Sequence, residues 1–509
     1  MRLVKRLYGQ VANIKVTADK MRYRPIVGLE IHAQICSRSK MFSSAAFDEG
    51  MHVNSSVELF DMATPGTLPV LNSNCVFKGV QAGILLNCEI PRRCRFERKH
   101  YFYADMPAGY QITQQRHPIA HSGYFDYFVH SPDEHFSWYR RRTHITRIQL
   151  EIDSGKTVHD LANSRSLIDL NRAGVGLLEI VTEPELSSAL EALCFVEQLR
   201  IMLAVNGICD GQMHRGQLRV DANISLSTEG SPVLGVRTEV KNLNSLKAVY
   251  SAINYEISRQ YEILKRGGEV LNETRTVDDK GLTVPMREKE IETDYRFMPE
   301  PNLPAVVISS DLLANARRNV KRRPTYVRYI EEYGFDPGSA LHIVKDEHLS
   351  NFIDQVLHED CLDVPFVMGW LKELKRICGN SDVNYPPSSK EFASNFAKIL
   401  RLNCDGRLTR LTTIDLVRNY VNGDLCCAPL EFVEKENLWQ INDSSEIANV
   451  VNMVFDEHKE LVAKAKAQPG KTKLINKLRN AVIDASRKRI DVQRAANAVV
   501  ENLGRCSGD

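Results

Sequence analysis

Between Gln217 and Ser227 the chain alternates without a miss, with Leu218, Val220, Ala222, Ile224 and Leu226 set against Gln217, Arg219, Asp221, Asn223 and Ser225. Successive side chains of a strand point to opposite sides, so this run folds as a β-strand with one apolar and one polar face. The same split recurs in Ile26 to Ile35, where Leu29, Ile31, Ala33 and Ile35 share one face and Glu30, His32 and Gln34 the other. From Arg147 to Asp153, Ile148, Leu150 and Ile152 oppose Arg147, Gln149, Glu151 and Asp153. Val236, Thr238 and Val240 alternate with Arg237, Glu239 and Lys241. Repeated one-sided alternation belongs to an antiparallel sheet covered on one side.

Two helices are predicted among these strands. One opens at Pro184 and turns Leu190, Leu193, Val196, Leu199 and Leu203 to one side before Gly207. The other starts near Ser245, with Leu246, Val249, Ile253, Ile257 and Leu264 inward, and stops at Gly267-Gly268. Strands followed by helices that cover them give an α+β fold for residues 25–308. Beyond that, helical periodicity dominates, and the expectation is an all-α region over 309–437 and a small helical tail over 438–509. Loops are expected from Gly379 to Ser389 and from Gly423 to Pro429.

A net charge of +2 over 509 residues supplies no global field toward nucleic acid, so an RNA-binding face must be a local concentration of charge. The twelve cysteines are scattered, with no CxxC pair, as in a reduced compartment rather than a disulfide or zinc framework. No apolar run approaches the length of a membrane span. In the first 24 residues, Arg2, Lys5, Arg6, Lys15, Lys20, Arg22 and Arg24 meet one acid, Asp19. Two readings fit that composition equally, an organelle transit peptide and a frayed basic terminus.

The polar faces also admit two readings. A solvated face has the same alternation, and for any single strand that is the simpler account. A solvated face has no particular need, however, of His32 between Glu30 and Gln34. Nor does it explain Glu179, the one charge in the apolar run Gly174 to Val181, where a carboxylate is costly unless paired or bound to a cation. Carboxylates with one imidazole favour Mg²⁺ or Mn²⁺ over zinc, and with arginines and a lysine they suit phosphoryl transfer. Gly470-Lys471-Thr472 imitates the end of a phosphate-binding loop, but the glycine required five positions before Gly470 is Ala465 and no strand precedes it.

The segments Val27 to Gln34, Arg98 to Tyr103 with Gly109 to Ile112, Leu150 to Lys156, Asp169 to Gly174, Leu178 to Pro184, Leu218 to Ser225, Glu239 to Ser245 and Asp294 to Pro301 together resemble the B subunit of the aspartyl/glutamyl-tRNA amidotransferase family. They occur in family order across most of residues 25–304. Tyr329 to Gly334 and Leu438 to Asp443 extend the likeness more loosely, and the last segment is similar in type to the family's helical tail. The resemblance implies a catalytic domain over 25–308. It implies a carbon–nitrogen ligase that uses ATP and Mg²⁺ to phosphorylate the γ-carboxyl of glutamate misacylated onto tRNA(Gln), with glutamine as amido donor. It further implies a glutaminase partner, the A subunit, that delivers ammonia, and a small C subunit. Carried over by position, the metal ligands are His32, Glu151 and Glu179, with Glu30 beside them. Arg219, Asp221, Asn223, Glu239 and Lys241 are candidates for contacts to ATP or the acyl phosphate; ordinary cross-strand pairing accounts for each of them equally well.

Three departures accompany the likeness. Bacterial members often carry a four-cysteine zinc knuckle after the first strand, whereas Ser43 to Pro69 has no cysteine, so no structural zinc is expected. An acidic pair usual in the family is His214-Arg215, and Ile152 replaces an acid. From Lys464 to Arg494, ten Lys or Arg meet only Asp484 and Asp491, with Leu474, Leu478 and Val482 as an apolar stripe. A basic strip of this kind is either a solvated helix face or a phosphate-binding one; the family's tRNA-docking tail favours the second, through Lys471, Lys473, Lys477, Arg487, Lys488 and Arg489. With the basic N-terminus, the family's organellar members point to the mitochondrial matrix, a bacterial cytoplasm being the alternative. The rival reading of the whole chain is a catalytically inactive tRNA-holding scaffold.

Overall fold

The computed structural model describes residues 23–47, 50–131, 133, 136–278, 281–288, 294–321, 323–360, 362–425, 427–468 and 472–505. The basic stretch up to residue 22, and Lys471, lie outside the described residues. The chain divides into two compact units, Met1–Val327 and Arg328–Asp509.

In the first unit, strands β1 (Tyr23–Gln34), β2 (Ala120–Val129), β3 (Tyr139–Ile152), β4 (Gly176–Thr182), β5 (Leu218–Thr228), β6 (Thr238–Leu243), β7 (Glu273–Val277) and β8 (Thr283–Glu288) form one sheet. Its spatial order is β8-β7-β6-β5-β1-β4-β3-β2. Among the described residues every pairing in it is antiparallel except β6–β7, which is parallel. Parallel neighbours need a crossover to carry the chain back, and the helix Leu246–Lys265 between them supplies it.

The alternation buries the expected face. Val27, Leu29, Ile31 and Ala33 of β1 and Leu218, Val220, Ala222 and Ile224 of β5 are all buried. Helices α1 (Ser73–Leu85), α2 (Ala189–Val205) and α3 (Leu246–Lys265) pack on the sheet. Each fully buried aliphatic side chain contributes roughly 1.5–3 kcal/mol. Helix α3 begins at the predicted cap, with Ser245 Oγ accepting from Ala248 N. Helix α2 begins later than Pro184. Leu186 instead pairs with β1, Val27 N donating to its carbonyl at 2.8 Å, and Ser188 caps the helix by accepting from Glu191 N at 3.2 Å. Glu191 answers by accepting from Ser187 N, a reciprocal cap that outweighs proline's preference for a first turn.

Two additions shape the polar side of the sheet. A small sheet of Met298–Pro299, Glu97–His100 and Tyr110–Thr113 lies against β3. The irregular segment from residue 40 to 70 is braced by buried Lys40, whose Nζ donates to Asp61 Oδ2 and Ser56 O, both at 2.9 Å. Gly174, at φ +86°, leaves room for that brace, because a Cβ there would lie 2.7 Å from Asp61 Oδ1. The helix Ser310–Asn319 packs on α1 and so belongs to this unit.

Among the described residues of the second unit the regular elements are all helices, from Pro337–Ile343 to Val492–Arg505. Phe352, Phe392 and Phe396 stack in one part of its core, and Val451, Val454, Leu478, Val482 and Val499 fill another. The Thr409 and Thr412 hydroxyls both donate to the Lys488 carbonyl, at 2.6 and 3.0 Å, joining these parts. Among the described residues no helix is long and apolar enough to cross a membrane.

Candidate active site

Strand register brings the polar faces together. His32 of β1 lies opposite Arg219 of β5 on one side and Glu179 of β4 on the other, and Glu179 lies opposite Gln149 of β3. One polar row, Arg219, His32, Glu179, Gln149, therefore crosses four adjacent strands. Glu151 stands one step along β3 from that row, on the same face. His32 Nε2 is 3.5 Å from Glu151 Oε1 and 3.9 Å from Glu179 Oε2. Each of the three residues offers one ligand atom, and these atoms lie within 4.8 Å of one another. One imidazole nitrogen and two carboxylate oxygens fit a hard divalent cation.

The electrostatics agree. Burial, and then the charge of Glu179, push the Glu151 carboxyl well above the usual carboxylate range. Burial pushes Glu179 up as well, but His32, Glu151 and Lys99 outweigh it and hold that carboxyl low. The two buried carboxyls are thus driven apart in acidity by their mutual repulsion, which a divalent cation bound between them would relieve. Gln149 Nε2 donates to Glu179 Oε2 at 2.6 Å.

A second cluster adjoins the first. Glu30, Asp221 and Glu239 also bring ligand atoms within 4.8 Å of one another, but an ammonium stands among them. Lys241 Nζ is 3.0 Å from Glu239 and 3.4 Å from Asp221. Burial acts to lower its pKa, yet the charges of Asp221 and Glu239 win and keep it above its ordinary value. Asn223 Nδ2 donates to Glu30 Oε1 at 2.9 Å. Burial and the charge of Glu179 raise the Glu30 carboxyl, with that hydrogen bond and Lys241 opposing. A bulge between β5 and β6 at Val220/Ala222 aims these groups. It turns Asn242 to φ 61°, from which its N–H donates to Asp221 Oδ1 at 2.7 Å.

A cavity of about 510 Å³ opens over both clusters, lined by Glu30, His32, Glu151, Glu179, Arg219, Asp221 and Lys241. Glu239 and Asn223 stand behind this wall and act on it through Lys241 and Glu30. Lys99, Tyr101 and Arg172 also line the cavity, and residue-by-residue alternation did not single them out. Their signal lay in the segments Arg98 to Tyr103 and Asp169 to Gly174. Asp153 accepts from Arg219 Nη2 at 2.8 Å and faces Arg172 Nε at 3.5 Å, so it fixes two guanidiniums at the rim. In the turn Met213–Arg215, Met213 is buried while His214 and Arg215 are exposed, His214 lining this cavity and Arg215 a smaller polar one of about 340 Å³.

In the tail, Lys473, Lys477 and Arg487 are exposed. Lys488 and Arg489 are half-buried and engaged within the chain, Lys488 with Asp415 and Arg489 Nε with Trp439 O at 2.9 Å.

Residues 25–314 match the family model described as the GatB/GatE catalytic domain, and residues 365–503 match the GatB domain. The chain is 41% identical over 483 residues to the B subunit of the mitochondrial glutamyl-tRNA(Gln) amidotransferase of Danio rerio, covering 89% of this chain and 84% of that protein. It is 40% identical over 498 residues to the Homo sapiens protein of the same name, covering 94% and 88%. To the B subunit of the aspartyl/glutamyl-tRNA(Asn/Gln) amidotransferase of Rickettsia canadensis it is 37% identical over 471 residues, covering 91% and 93%. This chain belongs to the family of tRNA amidotransferase B subunits.

Proposed function

We propose that the chain is the B subunit of a glutamyl-tRNA(Gln) amidotransferase of the mitochondrial matrix, converting Glu-tRNA(Gln) to Gln-tRNA(Gln) with ATP, Mg²⁺ and delivered ammonia. The observation that carries this reading is the convergence of His32, Glu151 and Glu179 beside Lys241 and Arg219 in one cavity. Buried paired carboxylates cost stability without a cation, and a scaffold that only holds tRNA has no use for them.

A carboxylate is a poor acyl donor. An oxygen of the tRNA-borne glutamate's γ-carboxylate attacks the γ-phosphorus of ATP, the bond from that phosphorus to the β–γ bridging oxygen breaks, and ADP leaves. Ammonia then attacks the γ-carbonyl carbon and expels inorganic phosphate. His32, Glu151 and Glu179, with Glu30 beside them, would hold a Mg²⁺ ion, which when bound would neutralise charge on the transferring phosphoryl group. Lys241, fixed by Asp221 and Glu239, and Arg219, fixed by Asp153, supply permanent positive charge at the same cavity. Asn223 orients Glu30.

The B-subunit name carried by the relatives supports a multisubunit assembly, with an A subunit as the glutaminase that supplies ammonia and a C subunit as a third member. The relatives named mitochondrial, together with the basic N-terminal composition, support the compartment. Of the described tail cations expected to meet tRNA phosphates, Lys473, Lys477 and Arg487 are exposed and available, while Lys488 and Arg489 are occupied within the fold. The test is reconstitution with the A and C subunits, supplying glutamine, ATP and either misacylated tRNA. The expected result is Gln-tRNA(Gln) with one ADP formed per amide. Binding of Glu-tRNA(Gln) with no ADP formed would favour the scaffold.

A further inference from the structure

Behind the His32, Glu151 and Glu179 set lies a hydrogen-bonded pair with no role so far. Gln149 and Thr113 are both buried, 3% and 1% exposed, and neither lines the cavity. Gln149 Nε2 donates to Glu179 Oε2 at 2.6 Å and to Thr113 Oγ1 at 3.2 Å. Thr113 Oγ1 in turn donates to Glu151 Oε2 at 3.4 Å. On its other side, Gln149 Oε1 accepts from Arg147 Nε at 3.0 Å.

This pattern leaves the amide one orientation. A guanidinium can only donate, so the carbonyl end of Gln149 must face Arg147, and the NH₂ end must face Glu179. Its two hydrogens then serve both carboxylates, one directly and one through Thr113. Both carboxylates sit at a buried site where like charges repel strongly, and rotation about their side-chain bonds is the easy way to relieve that repulsion. Gln149 holds Glu179 Oε2, the oxygen that faces His32, and Thr113 holds Glu151 Oε2, leaving Oε1 to face His32, so both donors oppose the rotation.

We propose that Gln149, with Thr113 as its relay, is a positioning residue that keeps one oxygen of Glu179 and one of Glu151 turned toward His32 as a preformed cation site. This rests on the reading of His32, Glu151 and Glu179 as metal ligands and extends it to the shell that aims them. Removing such outer partners typically lowers metal affinity about 10–100-fold while leaving the ligands in place. Arg147 enters the same chain, because without it the amide is free to flip and present its oxygen to Glu179.

The test uses Mn²⁺ as the probe, titrated by electron paramagnetic resonance into the full chain in complex with its partner subunits, without nucleotide. Wild type, Gln149→Met, Thr113→Val and Glu179→Gln are compared. Gln149→Met keeps the shape and removes the donors; Thr113→Val is close to isosteric and guards against a folding defect in the first. The expected result is a Kd for Mn²⁺ raised about tenfold or more in Gln149→Met, a smaller rise in Thr113→Val and no binding in Glu179→Gln. ATP turnover in Gln149→Met should return toward the wild-type kcat at saturating metal, with only the half-saturating concentration shifted. Wild-type Mn²⁺ affinity in both Gln149→Met and Thr113→Val, whatever their thermal stability, would overturn the positioning role and leave the metal site standing. Failure of wild type to bind Mn²⁺, or binding by Glu179→Gln equal to wild type, would overturn the metal reading and this inference with it.

Discussion

His32 and Glu179 are direct cross-strand partners, with Nε2 and Oε2 3.9 Å apart, on two neighbouring antiparallel strands of the central sheet. Strand pairing, not a flexible loop, therefore sets their separation. A one-residue slip of β1 against β4 would turn His32 into the apolar core and expose Ile31, so the burial of Ile31 locks the register that pairs His32 with Glu179. The site is as rigid as the sheet that carries it.

Behind the sheet, Glu256 of α3 is fully buried and accepts from Arg259, Gln260 and Thr283, with Arg275 3.6 Å away. Burial raises its carboxyl, but the hydrogen bonds from Arg259 and Gln260 outweigh that and hold it below the ordinary value of 4.5. As pH falls, the unfolded chain therefore takes up this proton before the folded one. The stabilisation is complete above about pH 4.5 and is lost as pH falls through the depressed folded value. Glu256→Gln should lower stability at pH 7 by about 3 kcal/mol, a Tm drop of roughly 5–10 °C, and flatten part of the acid limb. Calorimetry from pH 3 to 7 checks both effects.

Lys40 is the central fastening of the segment from residue 40 to 70, through Asp61, Ser56 and Leu170. Lys40→Met leaves Asp61 buried without its cation, at a cost of about 3–5 kcal/mol. Limited proteolysis should then cut between residues 43 and 69, where wild type resists. The double variant Lys40→Met/Asp61→Leu, which removes both charges, should recover much of that resistance.

Charge reversal in the tail separates binding from folding. Lys473→Glu with Lys477→Glu should weaken tRNA binding and reduce the slope of log affinity against log salt by roughly 0.7–0.9 for each phosphate no longer neutralised. Lys488→Ala should instead lower the thermal stability of the second unit, because that side chain is committed to Asp415. Filter binding across a salt series, with circular dichroism melts, distinguishes the two.

The sheet was legible where one face is apolar and the other polar, as in β1, β5 and the later half of β3. It was less legible in β2, where Tyr127, Phe128 and Val129 are all buried and the period of two disappears. The parallel β6–β7 pairing was hidden because it depends on where α3 returns the chain, which no local pattern encodes. The start of α2 was misplaced because Leu186 finds a long-range partner in Val27. Within the site, His32 and Glu179 stood out as charges in improbable company. Thr113 and Arg172 did not, since a lone threonine or arginine at the end of a short strand or turn carries no periodic signal.

The most direct measurement is Glu-tRNA(Gln)-dependent ATP hydrolysis by the assembled enzyme carrying His32→Ala or Glu179→Gln, with tRNA affinity measured alongside. Loss of hydrolysis by at least about a hundredfold with tRNA binding retained is the predicted result, since on the proposed reading these residues hold the cation that stabilises charge on the transferring phosphoryl group. Wild-type turnover in both variants would contradict it.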